Sequence, residues 1–278
     1  MDIIIRRVVI NRLSVILLLM ALLAISLSGR AALKTHLTQG GLFFGEVTPG
    51  SQVFYNGESI SVSPKGQFIL GFGYNAKLKQ TYQVVDDKGT KKNITLKLTP
   101  REYAVQRING VAKKYVKPTK MALERIKLDS QRVKNARLQN SRQQDFFQGF
   151  NWPLTGPITG VYGSQRVFNG EPRRPHFGVD IAAITGTKVH SPADGRVTLA
   201  SNNLYFSGGT LIIDHGYGIS SSFLHLSRVL VVSGQKVNRG DVIAEVGATG
   251  RVTGPHLDWR INWFEKHLDP QILAGAQK

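Results

Sequence analysis

The chain has 278 residues, of which 41% are hydrophobic, enough for about two ordinary domains with a folded core. Its 36 Lys and Arg against 18 Asp and Glu leave a formal charge of +18, which points to anionic surroundings such as nucleic acid, a membrane face or an acidic polymer. The absence of cysteine excludes a disulfide framework, a thiolate nucleophile, a cysteine zinc cluster and a lipidated N-terminal cysteine.

At the N-terminus, Arg6, Arg7 and Arg12 precede an apolar run from Leu13 to Leu27, and Gly29 and Ala31 stand at −3 and −1 of a cleavage site. Residues 1–31 therefore read as a secretory signal peptide. The run is shorter than the roughly 18 residues of a spanning helix. Because Ile3 to Ile10 is also apolar, an uncleaved inner-membrane anchor is the alternative. Either places the protein in the periplasm or cell envelope, and export argues against nucleic acid as a partner.

Residues 36–98 carry a β pattern. "GLFFGEV" and "SQVFYNGESISV" alternate apolar and polar residues, with Asn56-Gly57 as a hairpin turn. "SPKGQFILGF" supplies a turn and another strand, and "TYQVVDDKGTKKNITLKL" a second hairpin turning at Asp87 to Gly89. The spacing predicts a small β-sandwich, with no catalytic constellation in it. Residues 101–148 change character: glycine is scarce, and "TKMALERIKLDSQRVKNARLQNSRQQDFF" favours a basic helix. Leu123, Ile126 and Val133 give it only a thin apolar stripe. It reads as a solvated linker helix or as an electrostatic dock for an anionic polymer or membrane. Its basic part, residues 113–142, joins two β regions and is too weakly amphipathic to form a core of its own, so it or the first β region is expected to pack over the working face of the C-terminal region and limit access.

Residues 150–278 return to short strands punctuated by Gly and Pro, so the fold class is mainly β. The chemistry lies here. "RPHFGVD" sets His176 and Asp180 four residues apart around Gly178, which offers either a close backbone approach or an unusual dihedral. His225 follows on the strand "SSFLHLSRV". In "TGPHLDWRINW", His256 and Asp258 share one strand face, because side chains alternate with period two. Histidine and carboxylate are ordinary zinc ligands. His215 and Asp214 read as turn residues, His36, His190 and His267 as incidental, and Trp259 and Trp263 as packing. Tyr205, Asn169 and Arg173 are candidate substrate contacts beside the ordinary readings of packing tyrosine and solvated loop.

With "HFGVD", "SPADGRVTLA", "GGTLIIDHGYGISSSFLHLSRVLVVSGQKVNRGDVIAEVGATGRVTGPHLDW" and the closing "LDP" on the page, the stretch from Trp152 to Pro270 resembles the lysostaphin-type, LytM-like zinc endopeptidases of peptidoglycan. The resemblance implies a compact antiparallel β fold with a groove and Zn²⁺ at its base. It implies that His176 and Asp180 ligate the metal and that His225 and His256 are catalytic. The remaining ligand is expected to be the second histidine of a His-x-His pair, and here that position is Asp258. Nδ1 of His and Oδ of Asp are both bonded to Cγ, so Asp258 reaches similarly far and is a competent zinc donor. Decay would damage several members of the set, yet the other four are intact, which favours a working enzyme.

The implied activity is hydrolysis of stem-peptide cross-links during cell-wall remodelling. Zinc would polarise the scissile carbonyl and acidify its water, with His225 and His256 handling the proton and the oxyanion. Two carboxylates would neutralise Zn²⁺ formally, leaving its water less acidic and the activity optimum alkaline-shifted. The alternative is a catalytically inactive LytM-like cell-wall binder or amidase activator, with an amidase as partner. "VVSGQKVNRGDVIAEVGA" also resembles half of a lipoyl or biotinyl carrier domain, but no modifiable lysine stands in a suitable motif. Nucleic-acid binding through the basic helix lacks aromatic interleaving.

Overall fold

The structure, a computed structural model, describes residues 33–108 and 118–277; the N-terminal leader lies outside them. The first β region contains β1 (Leu42–Glu46), β2 (Gln52–Tyr55), β3 (Glu58–Ile60), β4 (Gln67–Gly71), β5 (Lys79–Val85) and β6 (Lys91–Lys97). β1 pairs with β4, and the other four form a sheet in the order β3-β2-β5-β6. The Asn56-Gly57 turn forms as read, with φ of 53° and 82°, the positive pair of a type I′ hairpin turn. In the second hairpin Asp86 Oδ1 accepts from the Lys88 and Thr90 amides at 3.0 and 2.7 Å.

Residues 101–148 are less uniformly helical than their composition predicts. β7 (Val105–Ile108) comes first, then α1 (Lys120–Arg137) and a 3-10 turn (Asp145–Gln148). The Thr119 hydroxyl accepts from the Ala122 amide and caps α1, while Lys134 and Arg137 in its last turn suit the helix dipole. The apolar stripe is thin, as expected. Val133 and Ala136 pack on Leu199, Leu204 and Ile212, whereas Met121, Leu123 and Leu128 are exposed. Polar contacts complete the docking. Arg125 donates to the Asn203 carbonyl at 2.6 Å, and Asp129 accepts from the Tyr205 amide at 2.8 Å.

The C-terminal region runs through β8 (Ile158–Gly160), β9 (Gln165–Phe168), β10 (Glu171–Pro172), β11 (Val179–Ala182), β12 (Lys188–His190), β13 (Gly195–Leu204) and β14 (Gly208–Gly216). It continues through β15 (Ile219–Leu226), β16 (Arg228–Val229), β17 (Lys236–Val237), β18 (Val242–Glu245), β19 (His256–Trp263), β20 (Lys266–Leu268) and α2 (Pro270–Ala274). An eight-stranded sheet orders them β17-β13-β14-β15-β19-β11-β8, with β20 beside β19. β14 and β15 are buried at every position, so these strands are covered on both faces. β9 pairs with β10 and, in parallel, with β7. Asp269 of the "LDP" landmark caps α2, accepting from the Gln271 amide, with Pro270 in the first turn.

One apolar core runs through both β regions. Tyr55 and Trp263 meet with ring centroids 6.0 Å apart, and Phe44 and Phe147 at 5.4 Å. Arg101 reaches Asp269 at 2.8 Å. Arg239 pins the 3-10 turn to the C-terminal region. Its guanidinium donates to Asp145 Oδ2 at 2.6 Å and to the carbonyls of Gly149 and Pro192 at 3.0 and 2.9 Å. Breaking a buried pair strands the surviving charge, at a cost of roughly 3–5 kcal/mol. Arg239→Ala is expected to lower unfolding free energy by about that amount, and Arg239→Lys by less. Urea titrations of the three proteins check this; superimposable curves would mean the pin contributes nothing.

Candidate metal centre

β19 lies between β15 and β11, and this placement builds the centre. Asp180 of β11 is the direct register partner of Asp258 of β19, and Leu224 pairs with Asp258 from the other side. Two carboxylates therefore stand opposite one another on adjacent strands, both buried. His176 lies in the segment before β11. Its amide donates to the Ser164 carbonyl at 2.8 Å, and its carbonyl accepts from Gly163 at 2.7 Å. Gly178 is needed for close approach rather than for its dihedral. A Cβ there would sit 2.5 Å from Asp258 Oδ1 and 2.7 Å from the Trp259 carbonyl.

His176, Asp180 and Asp258 each offer a donor atom, and these atoms lie within 4.8 Å of one another. His176 Nε2 is 3.1 Å from Asp180 Oδ1, and Nδ1 is 4.0 Å from Asp258 Oδ2. Both ring nitrogens and Asp180 Oδ1 are buried without a hydrogen-bond partner. Orphaned buried acceptors are costly, and a cation would satisfy them. One imidazole nitrogen and two carboxylates are a donor set that zinc accepts, so the residues present fit the ion.

His225 and His256 face each other beside this cluster, with ring centroids 5.0 Å apart. Each has a carbonyl against Nδ1: Thr249 at 2.8 Å for His225, and Gly254 at 2.9 Å for His256. A carbonyl only accepts, so Nδ1 carries the hydrogen in both and Nε2 is left for other chemistry. His256 Nε2 points to Asp180 Oδ1 at 3.8 Å. Burial pushes His225 down to about 4, so it is neutral at physiological pH. Its φ of 66° places a non-glycine residue in the left-handed region, a local strain of the kind found at functional positions.

Two arginines that sequence reasoning passed over complete the geometry. Arg260 donates from Nε to Asp258 Oδ1 at 2.9 Å and from a terminal nitrogen to Oδ2 at 2.6 Å. Arg166 of β9 bonds Asp180 Oδ2. Burial opposes ionisation of both acids. For Asp258 the Arg260 guanidinium outweighs it and holds the carboxyl well below the usual range. Asp180 is held low chiefly by His176, with help from Arg166. The same period-two alternation that aligns His256 with Asp258 also puts Arg260 on their face, so Arg260 was legible in the sequence. Arg166 comes from a distant strand and was not. In the metal-free cluster each carboxylate already has a guanidinium partner, so the two acids stand charge-balanced before any cation enters.

The centre opens into a groove of about 900 Å³. Arg166, Arg173, Arg174, Arg251 and Arg260 line it from the C-terminal region, and Arg137 lines it from α1. Burial and the neighbouring guanidinium groups push Arg251 down to about 10. Tyr205 and Arg173 lie in the groove wall, while Asn169 sits at the β9–β10 hairpin tip, outside that lining. His267 also lines the groove, stacked on Phe177 at 4.3 Å. His215 is internal, with Nδ1 against the Asp194 carbonyl and Nε2 against Ser221 Oγ. Asp214 accepts from the Gly216 amide at the turn. Trp259 and Trp263 are buried packing residues.

Residues 174–270 match the sequence family described as peptidase family M23. The peptidoglycan DD-endopeptidase ShyA of Vibrio cholerae is 43% identical over 102 residues, which are 34% of this chain and 24% of ShyA. The DD-carboxypeptidase/endopeptidase Mpg of Neisseria meningitidis is 42% identical over 101 residues, 36% of this chain and 23% of Mpg. The matches thus span about a quarter of these relatives' length. A crystal structure from Pseudomonas aeruginosa described as a peptidase M23 covers 87% of this chain and 96% of its own, with a TM-score of 0.66 and 28% identity. That likeness extends beyond the C-terminal region to most of the described chain.

Three buried histidines make metal-free stability depend on pH. Burial lowers His215, pushes His225 to about 4, and, with nearby arginines, pushes His267 to about 3. Unfolded, each titrates near 6.5. Below that pH the unfolded chain takes up protons that the folded chain refuses, so stability present above pH ~6.5 falls as pH drops toward 4. Melting curves of chelator-treated protein between pH 7.5 and 4.5 are expected to show a falling midpoint. A flat profile would show that these histidines are not held neutral.

Proposed function

We propose that this protein, whose C-terminal domain belongs to peptidase family M23, is a zinc-dependent endopeptidase that hydrolyses peptide cross-links of peptidoglycan. The observation that carries the reading is the convergence of His176, Asp180 and Asp258, with orphaned donor atoms on His176 and Asp180, beside two histidines presenting Nε2. His176, Asp180 and Asp258 would hold the metal, and His225 and His256 would be catalytic. Bound zinc supplies Lewis-acid polarisation of the scissile carbonyl and a nucleophilic water at neutral pH.

The chain's own residues do the rest. Neutral His225 accepts a proton at Nε2, its ring fixed through Nδ1 by the Thr249 carbonyl. His256, fixed by the Gly254 carbonyl, orients or protonates the group opposite. Tyr205 and Arg173 in the groove wall are proposed substrate contacts, with Asn169 at the rim. The arginine lining suits the free carboxylates of stem peptides. Relatives named DD-endopeptidases support cross-links between D-residues as the class cut.

Export by the leader, to the periplasm or as an inner-membrane anchor, belongs to the same reading. No helix among the described residues is long and apolar enough to cross a membrane. One observation favours the second reading, an inactive binder or amidase activator: Arg260 engages both oxygens of Asp258.

Zinc analysis with digestion of purified sacculi separates the two readings. The wild type is expected to release muropeptides with zinc bound. Asp258→Ala should lose more than the roughly 10–100-fold that removal of a ligand's supporting partner costs. Asp258→His alone would leave the Arg260 guanidinium beside the metal donors without its carboxylate partner, so the double variant Asp258→His, Arg260→Gln is the fair replacement and should retain metal and turnover. A wild type inert with saturating zinc, beside an active double variant, would establish a switched-off enzyme.

Helix α1 forms one wall of the groove, which supports the expectation that this segment restrains access. Val133→Asp, which places a charge against Leu199 and Ile212, should loosen α1 and raise the initial rate of sacculus digestion. An unchanged or lower rate in a folded variant would argue that α1 is a structural wall and not a restraint.

A further inference from the structure

The two carboxylates of the centre are not equally available. Asp180 gives one oxygen, Oδ2, to Arg166 and keeps Oδ1 without a hydrogen-bond partner, facing His176 Nε2 and His256 Nε2. Asp258 keeps neither oxygen. The planar fork of Arg260 takes Oδ1 and Oδ2 side by side, an arrangement that uses the inner lone pair of each oxygen. Those are also the lone pairs a metal favours on a carboxylate. Arg260 and Asp258 are two residues apart on one face of β19, so the strand itself holds the fork in register.

We infer that Arg260 competes with the metal for Asp258, so that His176 and Asp180 form a ready half-site and the third ligand becomes available only when the guanidinium lets go. This rests on the assignment of Asp258 as a metal donor. The charge argument runs the same way as the geometry. A guanidinium hydrogen-bonded to a metal donor would stand close to any ion bound there, and like charges close together in a partly buried site repel. The displaced group has somewhere to go. Its side chain retains 21% exposure and already lines the groove, as does Glu265. Once released there, it adds a cation to the wall that would meet an anionic substrate. Metal binding and anion binding are then thermodynamically linked, each raising the affinity for the other. Arg260 is a positioning residue in this scheme and touches neither substrate nor reacting atoms while it holds Asp258.

The test is a titration of metal-free full-length protein with zinc alone, in competition with a chromogenic chelator. Arg260→Gln removes the charge and the fork. It is expected to bind zinc roughly tenfold or more tighter than wild type, given the repulsion it relieves. Arg260→Lys keeps the charge without the fork and is expected to fall between the two; it also carries the test if the glutamine variant does not fold. A purely structural arginine would give the opposite sign, since its loss would loosen Asp258 and weaken the metal. Equal or weaker zinc binding by the folded variants overturns the competition. Sacculus digestion by wild type at saturating zinc, followed in parallel, decides the peptidase reading separately. Digestion with no gain in affinity sinks the competition alone. Zinc bound by none of the proteins sinks the competition and the metal assignment together.

Discussion

Asp180 and Asp258 face each other across adjacent antiparallel strands, both buried and both ionised. Like charges directly opposite in a sheet are destabilising, and each buried carboxylate carries a desolvation cost of several kcal/mol. A cation on each side is the arrangement that lets the strand pair exist. Arg260 arrives from the same strand. Arg166 arrives on β9, which is itself held by β10 on one side and β7 on the other. The small three-stranded sheet at the edge of the C-terminal region therefore does electrostatic work as well as closing the fold. His176 completes the cluster from a segment whose backbone is fixed by Gly163 and Ser164.

The same charges shape the groove. Arg166 and Arg260 bond the two acids, Arg137, Arg173, Arg174 and Arg251 line the groove beside them, and the result is a guanidinium-rich channel leading to a compact acidic floor. Such a lining suits an anionic ligand. α1 contributes Arg137 to this lining and Asp129 to the backbone of Tyr205. The helix is thus bound to the groove wall by polar contacts and a small apolar patch, which is a weaker attachment than a shared core. A weakly docked wall can open at modest cost, so restraint and access are compatible in one fold.

Local signals were legible in the sequence and long-range ones were not. Asn56-Gly57 announced its hairpin because both residues tolerate the positive φ that a type I′ turn needs. Period-two alternation placed His256 and Asp258 together for the same kind of local reason, and would have placed Arg260 there had it been followed two residues further. The spacing in "HFGVD" gave the half-site, but not whether Gly178 served a dihedral or a close contact; the Asp258 oxygen against it decides that. Nothing local announces that Arg166 meets Asp180 or that β7 pairs in parallel with β9. The basic composition of 101–148 concealed a strand at its start, because Val105 to Ile108 is too short for a period and owes its conformation to its partner. The shared core between the two β regions was hidden for a similar reason. Tyr55 and Trp263 each look like ordinary packing residues until the fold brings them together.

The substitution of a carboxylate for a histidine at position 258 has to be weighed with the guanidinium two residues on. A lone extra aspartate would make the floor more acidic, blunt a bound cation as a Lewis acid and increase the repulsion with Asp180. Paired with Arg260 in the metal-free cluster, it adds no net charge. An ion that displaced the guanidinium would meet the aspartate's charge in full, so the pairing bears both on how readily an ion is held and on how strongly it would act as a Lewis acid. A histidine ligand needs only to be neutral to bind, whereas Asp258, on the proposed reading, would first have to be shared with, or surrendered by, a cation that already satisfies it. The balance between empty and loaded states would then be set by one hydrogen-bonded pair on β19.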